Sequence, residues 1–265
     1  MKFVDSHAHI NAEEFQDDRG QVIARAFQED IEAILCPAEL TEPKNLQIAL
    51  ELIEKHENIF AAAGVHPHNA KGFHSGVASM LERLVSGKKI LAVGEIGLDF
   101  HYNFSSPEDQ RTALRNQLNI AQDLGLPVVI HSRNAADEIA AAIEEEGFSN
   151  GGVLHCFTEN WEFADHMLEQ NFLISFSGIL TYPNAQSLRD VAKKLPLTKI
   201  LIETDSPYLT PVPYRGRIKR NEPVYVKEVA KTLAAIQHVD LSEVAQVTSQ
   251  NFASLFPIEI TRPRC

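Results

Sequence analysis

The sequence has no apolar run near the roughly 20 residues that a membrane-spanning helix requires. Its opening, Met1-Lys2-Phe3, lacks a charged segment followed by an apolar one, so no secretory leader is expected. Cysteine is scarce: Cys36, Cys156 and Cys265 are odd in number and far apart, which excludes a disulfide framework and a CxxC zinc site. Cys36 and Cys156 sit in apolar, strand-like surroundings and read as buried thiols. Cys156 follows His155, and the two-residue alternation of a strand turns it to the opposite side. Basic residues are also few, 24 against 36 acidic ones, giving a formal charge of −12. That balance excludes broad, non-specific adhesion to nucleic acid, which needs a basic face. No linker, low-complexity tract or solenoid-period repeat marks a second domain. One domain over residues 1–265 is expected, cytoplasmic, without membrane contact and with no obligate protein partner evident.

What the chain does have is a repeated placement. Eight apolar runs, at 3–9, 31–38, 59–65, 90–95, 126–131, 152–157, 171–177 and 199–204, read as buried parallel strands. Helix-like stretches separate them, at about 19–29, 43–56, 77–86, 107–124, 135–146, 161–169 and 184–194, with two more at about 223–237 and 241–255. The clearest starts with Ser106 as N-cap, Pro107 at the first position and Asp109 in the first turn; Leu114, Leu118 and Ala121 recur at helical spacing and Gly125 ends it. Strand followed by helix throughout means parallel strands and right-handed crossovers. An open doubly wound sheet would gather ligands only near a switch point. Here acidic or histidine residues close the first, fourth, fifth, sixth and eighth runs, and only a closed ring unites so many strand ends. The fold class is therefore α/β, a (β/α)8 TIM barrel with a metal site at the C-terminal mouth of its strands, and 265 residues suit its usual length of about 250.

The chemistry lies in those terminal residues. In Val4-Asp5-Ser6-His7-Ala8-His9, strand alternation puts Asp5, His7 and His9 on one face, where two imidazoles can grip one divalent ion. Glu95 follows an apolar run and is costly to bury unless a cation pairs with it. Gly94 and Gly97 beside it allow the backbone to turn and approach closely. Lys88 and Lys89 lie at the other end of that strand, so neither supplies a bridging group. His131, His155 and Asp205 end further runs. The resulting scheme places His7, His9, Glu95 and Asp205 around one metal and Glu95, His131 and His155 around another. Two divalent cations are expected, and the nitrogen and oxygen donors suit zinc or manganese and also admit magnesium. Glu95 and Asp205 carry the catalytic role, Asp205 as a base toward water. No serine or cysteine nucleophile is required.

The segments VDSHAHI, AAAGVHPH, AVGEIGLDF, PVVIHSR, GGVLHCFT, ISFSGILTYPNA, ETDSPYLTP and QNFASLF extend over essentially the whole chain. In order and spacing they resemble the TatD family of metal-dependent deoxyribonucleases, among the amidohydrolase-like barrels. The resemblance implies metal binding by His7, His9, Glu95, His131, His155 and Asp205. It also implies metal-dependent hydrolysis of DNA, typically exonucleolytic from 3′ to 5′ on single strands; some members look like aminoacyl-tRNA deacylases.

Other positions are candidates for substrate. His66 follows the third run and is placed to contact a scissile phosphate; a loop histidine bonded to backbone is the plain alternative. Arg133 is placed to neutralise phosphate charge. Arg215 and Arg217 belong to a basic segment, Arg215 to Arg220, in a Pro211–Pro223 loop expected over the barrel mouth. Phe100, His101 and Tyr102 could stack on bases or merely pack a loop. Asp5 and Glu203 are expected to support the ligands from behind, whereas Trp161 and Tyr182 read as packing. The expected substrate is DNA. A metal-dependent ester hydrolase such as a D-aminoacyl-tRNA deacylase, with tRNA as partner, is the enzymatic alternative. A metal-holding binding module is the non-enzymatic one, disfavoured because the ligands exceed the four of a closed structural site.

Overall fold

The computed structural model describes residues 1–85, 89–256 and 258. Eight parallel strands pair in sequence order to form a nearly closed barrel: β1 (Phe3–Asp5), β2 (Ile31–Glu39), β3 (Ile59–Gly64), β4 (Ile90–Asp99), β5 (Val128–Arg133), β6 (Gly152–Leu154), β7 (Phe172–Phe176) and β8 (Ile200–Ile202). The ring draws together where Ser6 N donates to Ile202 O at 3.1 Å and Asp205 N to His7 O at 3.0 Å, linking the chain beyond β1 with the end of β8. Among the described residues seven helices alternate with the strands, α1 (Arg19–Gln28), α2 (Pro43–Lys55), α3 (Ser75–Val85), α4 (Pro107–Asp123), α5 (Ala136–Glu145), α6 (Trp161–Glu169) and α7 (Gln186–Lys194). Two more follow β8, α8 (Val226–Gln237) and α9 (Leu241–Leu255). None of the described helices is long and apolar enough to cross a membrane.

Strand residues are buried on both sides, which is why their runs look continuously apolar. Ile34, Ala61 and Ile130 face the helices in the outer core. Their neighbours Leu35, Phe60 and Val129 point into the barrel and meet Phe252 and Phe256 near the end of the chain. The barrel is thus filled with hydrocarbon toward the N-terminal ends of its strands, leaving polar side chains to its C-terminal mouth.

Helix boundaries follow local chemistry. Ser106 Oγ accepts from Asp109 N at 3.1 Å, Pro107 occupies the first turn, and Gly125 takes a left-handed φ of 66° beyond the helix. The expected helix at 223–237 divides into a 3-10 turn, Pro223–Tyr225, and α8. Strand ends differ from expectation. The runs at 3–9, 152–157 and 199–204 are strands only through Asp5, Leu154 and Ile202, whereas β4 and β5 continue to Asp99 and Arg133. The C-terminal tail after residue 258, with Cys265, and Lys88 lie outside the described residues.

The close approach of β4 to β5 leaves little room near the mouth. Register shifts between Val93 and Ile96, and Gly97 then pairs with His131. A Cβ at Gly97 would stand 2.0 Å from His131 O, on a backbone whose φ is 139°. Gly97→Ala is therefore expected to destabilise the protein by about 2 kcal/mol or more, through strain and overpacking. Urea unfolding checks this, and an unchanged midpoint would contradict it.

Candidate metal centre

Six side chains expected from the sequence to converge do so at the mouth, and the buried carboxylate of Glu95 lies among them. It sits where the β4–β5 register shifts, an irregularity of the kind that re-aims a side chain. Its two oxygens face different partners. Oε2 is 3.2 Å from His7 Nε2 and 4.0 Å from His9 Nε2. Oε1 is 2.9 Å from His155 Nε2, 3.0 Å from His131 Nδ1 and 3.2 Å from His66 Nε2. Asp205 completes the first group, with Oδ1 3.3 Å from His9 Nε2 and 3.9 Å from His7 Nε2.

His7 and His9 arrive by a route other than the one their spacing suggests. They lie past β1, in chain held extended by Ala8 N donating to Leu35 O and His9 N to Ser206 O. Asp5 does not join them. It turns to Thr204, accepting from Oγ1 at 2.6 Å and from N at 2.9 Å, and so braces the residue before Asp205. Glu203 reaches across to His155, with Oε1 3.2 Å from Nδ1, and accepts from Cys156 N at 2.7 Å and Ser175 Oγ at 2.6 Å. Both acids thus support the cluster from behind. Asp205 and Cys156 hold left-handed backbones, φ 53° and 45°, a strained state that clusters at functional sites. At Cys156 this overturns the simple alternation: the residue lines the mouth, its Sγ 3.3 Å from Ser177 Oγ. Burial holds its thiol well above the usual range, and the residue is in none of the three groups of ligand atoms that could share a cation. Cys36 is a buried thiol as expected, pushed up to about 12 by burial.

The electrostatics are those of a cation-binding pocket. Burial alone would raise the Glu95 carboxyl, but the charges of His155 and His66 and hydrogen bonds from His131 and His155 hold it well below the usual range. Burial likewise opposes ionisation of Asp205, outweighed by His9 and the charges of His155 and His7. Burial carries His66 down to about 4 against the pull of Glu95. Among the described residues the ion-pair partners of Glu95 are all imidazoles. Two further observations fit an ion. Asp205 Oδ1 is buried with no hydrogen bond directed at it, and the Nε2 atoms of His7 and His9 face each other at 3.2 Å. Three sets of ligand atoms lie close enough to share a cation: His7, His9 and Glu95; His7, His155 and Asp205; His66, Glu95 and His131. The donors are imidazole nitrogens and carboxylate oxygens, which suit zinc, manganese or a similar divalent ion.

Sequence reasoning missed Asp99. Fully buried at the end of β4, its Oδ2 is 3.1 Å from His131 Nε2 and 2.9 Å from His68 Nε2, while Oδ1 accepts from His101 N and Tyr102 N. Burial would raise it, but hydrogen bonds from His131, Tyr102 and His68 hold it well below the usual range. A carboxylate on Nε2 leaves His131 Nδ1 free to ligate. The available signal was its position four residues beyond Glu95, on the same face of one strand.

A cavity of about 840 Å³ opens above the cluster, and His66 and Arg133 both line it. Arg215 and Arg217 are not among its lining residues; the Arg215 guanidinium rests 3.9 Å from the Tyr182 ring centroid. Arg220 is tied down by Asp18 at 2.6 Å and lies over Phe15, so it is no free cation for substrate. Phe100 packs against the core and Arg111, whereas Tyr102 stands on the rim.

A family model described as TatD related DNase matches residues 4–257. The chain is 39% identical over 255 residues to an uncharacterised metal-dependent hydrolase, YabD, of Bacillus subtilis, covering 96% of this chain and 98% of that protein. It is 34% identical over 257 residues to the 3′-5′ ssDNA/RNA exonuclease TatD of Erwinia amylovora, covering 95% and 98% of the two. Among solved structures, the TatD homologue YjjV of Escherichia coli K12 superposes with a TM-score of 0.89 at 31% identity, covering 97% of this chain and 98% of that one.

Asp99→Asn keeps the shape of the side chain but sets an amide against His131. It is expected to weaken Mn²⁺ binding by about 10- to 100-fold in calorimetric titration, the usual cost of losing a ligand's supporting partner. Unchanged affinity would show that Asp99 does not orient a ligand.

Proposed function

The chain belongs to the TatD family of metal-dependent hydrolases, and from that premise we propose that it cleaves phosphodiester bonds of DNA, removing nucleotides from the 3′ end of single strands. The observation that carries this reading is the division of Glu95. One oxygen belongs to the His7, His9 and Asp205 group and the other to the His131 and His155 group, as a carboxylate shared between two cations requires. Divalent cations held by these residues would supply Lewis acidity at phosphate oxygens and lower the pKa of a bound water.

The chain's own groups do the rest. Asp205 presents a buried, ionised oxygen with no donor on it, placed to take the proton of an attacking water. His66 belongs both to the ligand groups and to the cavity lining, so it faces the scissile phosphate or a cation beside it. Arg133 offers a charged fork to phosphate from the cavity wall. Arg215 and Arg217, outside the lining, would reach only phosphates further along the strand. Asp5 and Glu203 hold Thr204 and His155 in place. The proposed setting is the cytoplasm, in keeping with free Cys36 and Cys156.

The test is a metal-supplemented assay of end-labelled single-stranded DNA, double-stranded DNA and D-aminoacyl-tRNA. Single-stranded DNA is expected to be the fastest substrate, shortened from its 3′ end. Glu95→Ala is expected to lower the rate by about 10³-fold or more with unfolding unchanged. Faster deacylation of the tRNA would replace the nuclease reading, and retained activity in the variant would remove Glu95 from the chemistry.

A further inference from the structure

Three of the most exposed large hydrophobic side chains, Tyr102, Phe104 and Tyr208, stand on the rim of the cavity above the ligand cluster. The Tyr102 and Phe104 rings are stacked, with centroids 5.5 Å apart and planes within 6° of parallel. Both are set from below by the edge of His68, whose centroid is 4.8 Å from that of Phe104 and whose Nε2 is anchored on Asp99. Phe104 is the more open ring, at 59% exposure. The pair therefore presents an aromatic surface to solvent that is held in place from beneath.

Cations flank the pair. The Arg133 guanidinium carbon is 4.8 Å from the Tyr102 centroid, and Lys71 Nζ is 3.5 Å from Phe104 O. Lys71 and Arg133 belong to the mouth beside β3 and β5, on either side of the β4 loop that carries the rings. The cavity's carboxylates outside the ligand cluster, Glu39 and Glu42, come from the end of β2 and the loop after it. A polyanion is therefore favoured along the β3–β5 side of the mouth, where the aromatic surface is. Aromatic rings interleaved with basic side chains are the recurring means of holding unpaired nucleic acid, since every base has a π-face.

We propose that Phe104, backed by Tyr102, is a stacking platform for an unpaired nucleobase next to the scissile phosphate, with Lys71 and Arg133 holding phosphates of the same strand. This rests on the phosphodiesterase reading and adds to it a reason for single-strand preference. In a duplex the faces of internal bases are covered by their neighbours, so only a freed base can lie on the ring.

The test pairs a change in the protein with a change in the strand. The probes are a labelled thymidine octanucleotide and the same strand made abasic at its two 3′-terminal positions. kcat/KM is measured for the unaltered protein, Phe104→Ala and Phe104→Trp, and Kd by anisotropy for the Phe104 variants combined with Glu95→Ala. Phe104→Ala is expected to lower kcat/KM and affinity for the intact strand by about tenfold. It should leave the abasic strand within about twofold, and Phe104→Trp should restore discrimination. Equal losses on both strands, or none, would overturn the platform while leaving the nuclease reading intact. If the unaltered protein cleaves neither strand, the functional reading fails and the platform with it.

Discussion

A carboxylate taken out of water is tolerated only when charge comes to meet it. Glu95 is buried at the mouth of the barrel, and the ends of four strands besides its own send imidazoles toward it. No lysine or arginine among the described residues neutralises it. Its two oxygens point to different imidazole groups, so this one side chain ties together imidazoles from both sides of the mouth. The register shift in β4, the tight passage of Gly97 over His131 and the left-handed turn at Asp205 all serve to bring backbone close enough for that convergence.

Around this centre the polar groups are arranged in two depths. The groups that face the cavity are imidazole nitrogens and the oxygens of Glu95 and Asp205. Behind them, Asp99, Glu203 and Asp5 are fully buried and each bonds a ligand or its neighbour. Those bonds decide which nitrogen of His131 and His155 is left to face the centre. The hydrocarbon filling below, sealed by Phe252 and Phe256, keeps the polar groups at one end of the barrel and open to substrate from one side only.

Much of this was legible in the sequence, for physical reasons that differ by residue. The eight strands showed as apolar runs because parallel strands are buried on both faces, and the helices showed by their period, caps and closing glycines. His131, His155, Glu95 and Asp205 were visible as polar residues at or near the ends of such runs. His7 and His9 were found for a partly mistaken reason: strand alternation does not hold beyond Asp5, and hydrogen bonds to the chain at Leu35 and Ser206 align them instead. The same over-extension of alternation turned Cys156 the wrong way, since a positive φ is not readable from a cysteine. Asp99 escaped notice because β4 was cut four residues short. Phe104 was hidden because exposure, which sets it apart from Phe100, depends on how the loop folds back over His68. Arg220 shows the converse: a basic residue in a basic segment whose charge is already engaged by Asp18.

The central claim is that Glu95 joins two cation sites. Crystals soaked in saturating Mn²⁺ and measured for anomalous scattering test it most directly. Two peaks about 3.5–4 Å apart are predicted, one beside Glu95 Oε2 with His7 and His9, the other beside Oε1 with His131 and His155. A single peak under saturating metal, or peaks away from Glu95, would contradict the account.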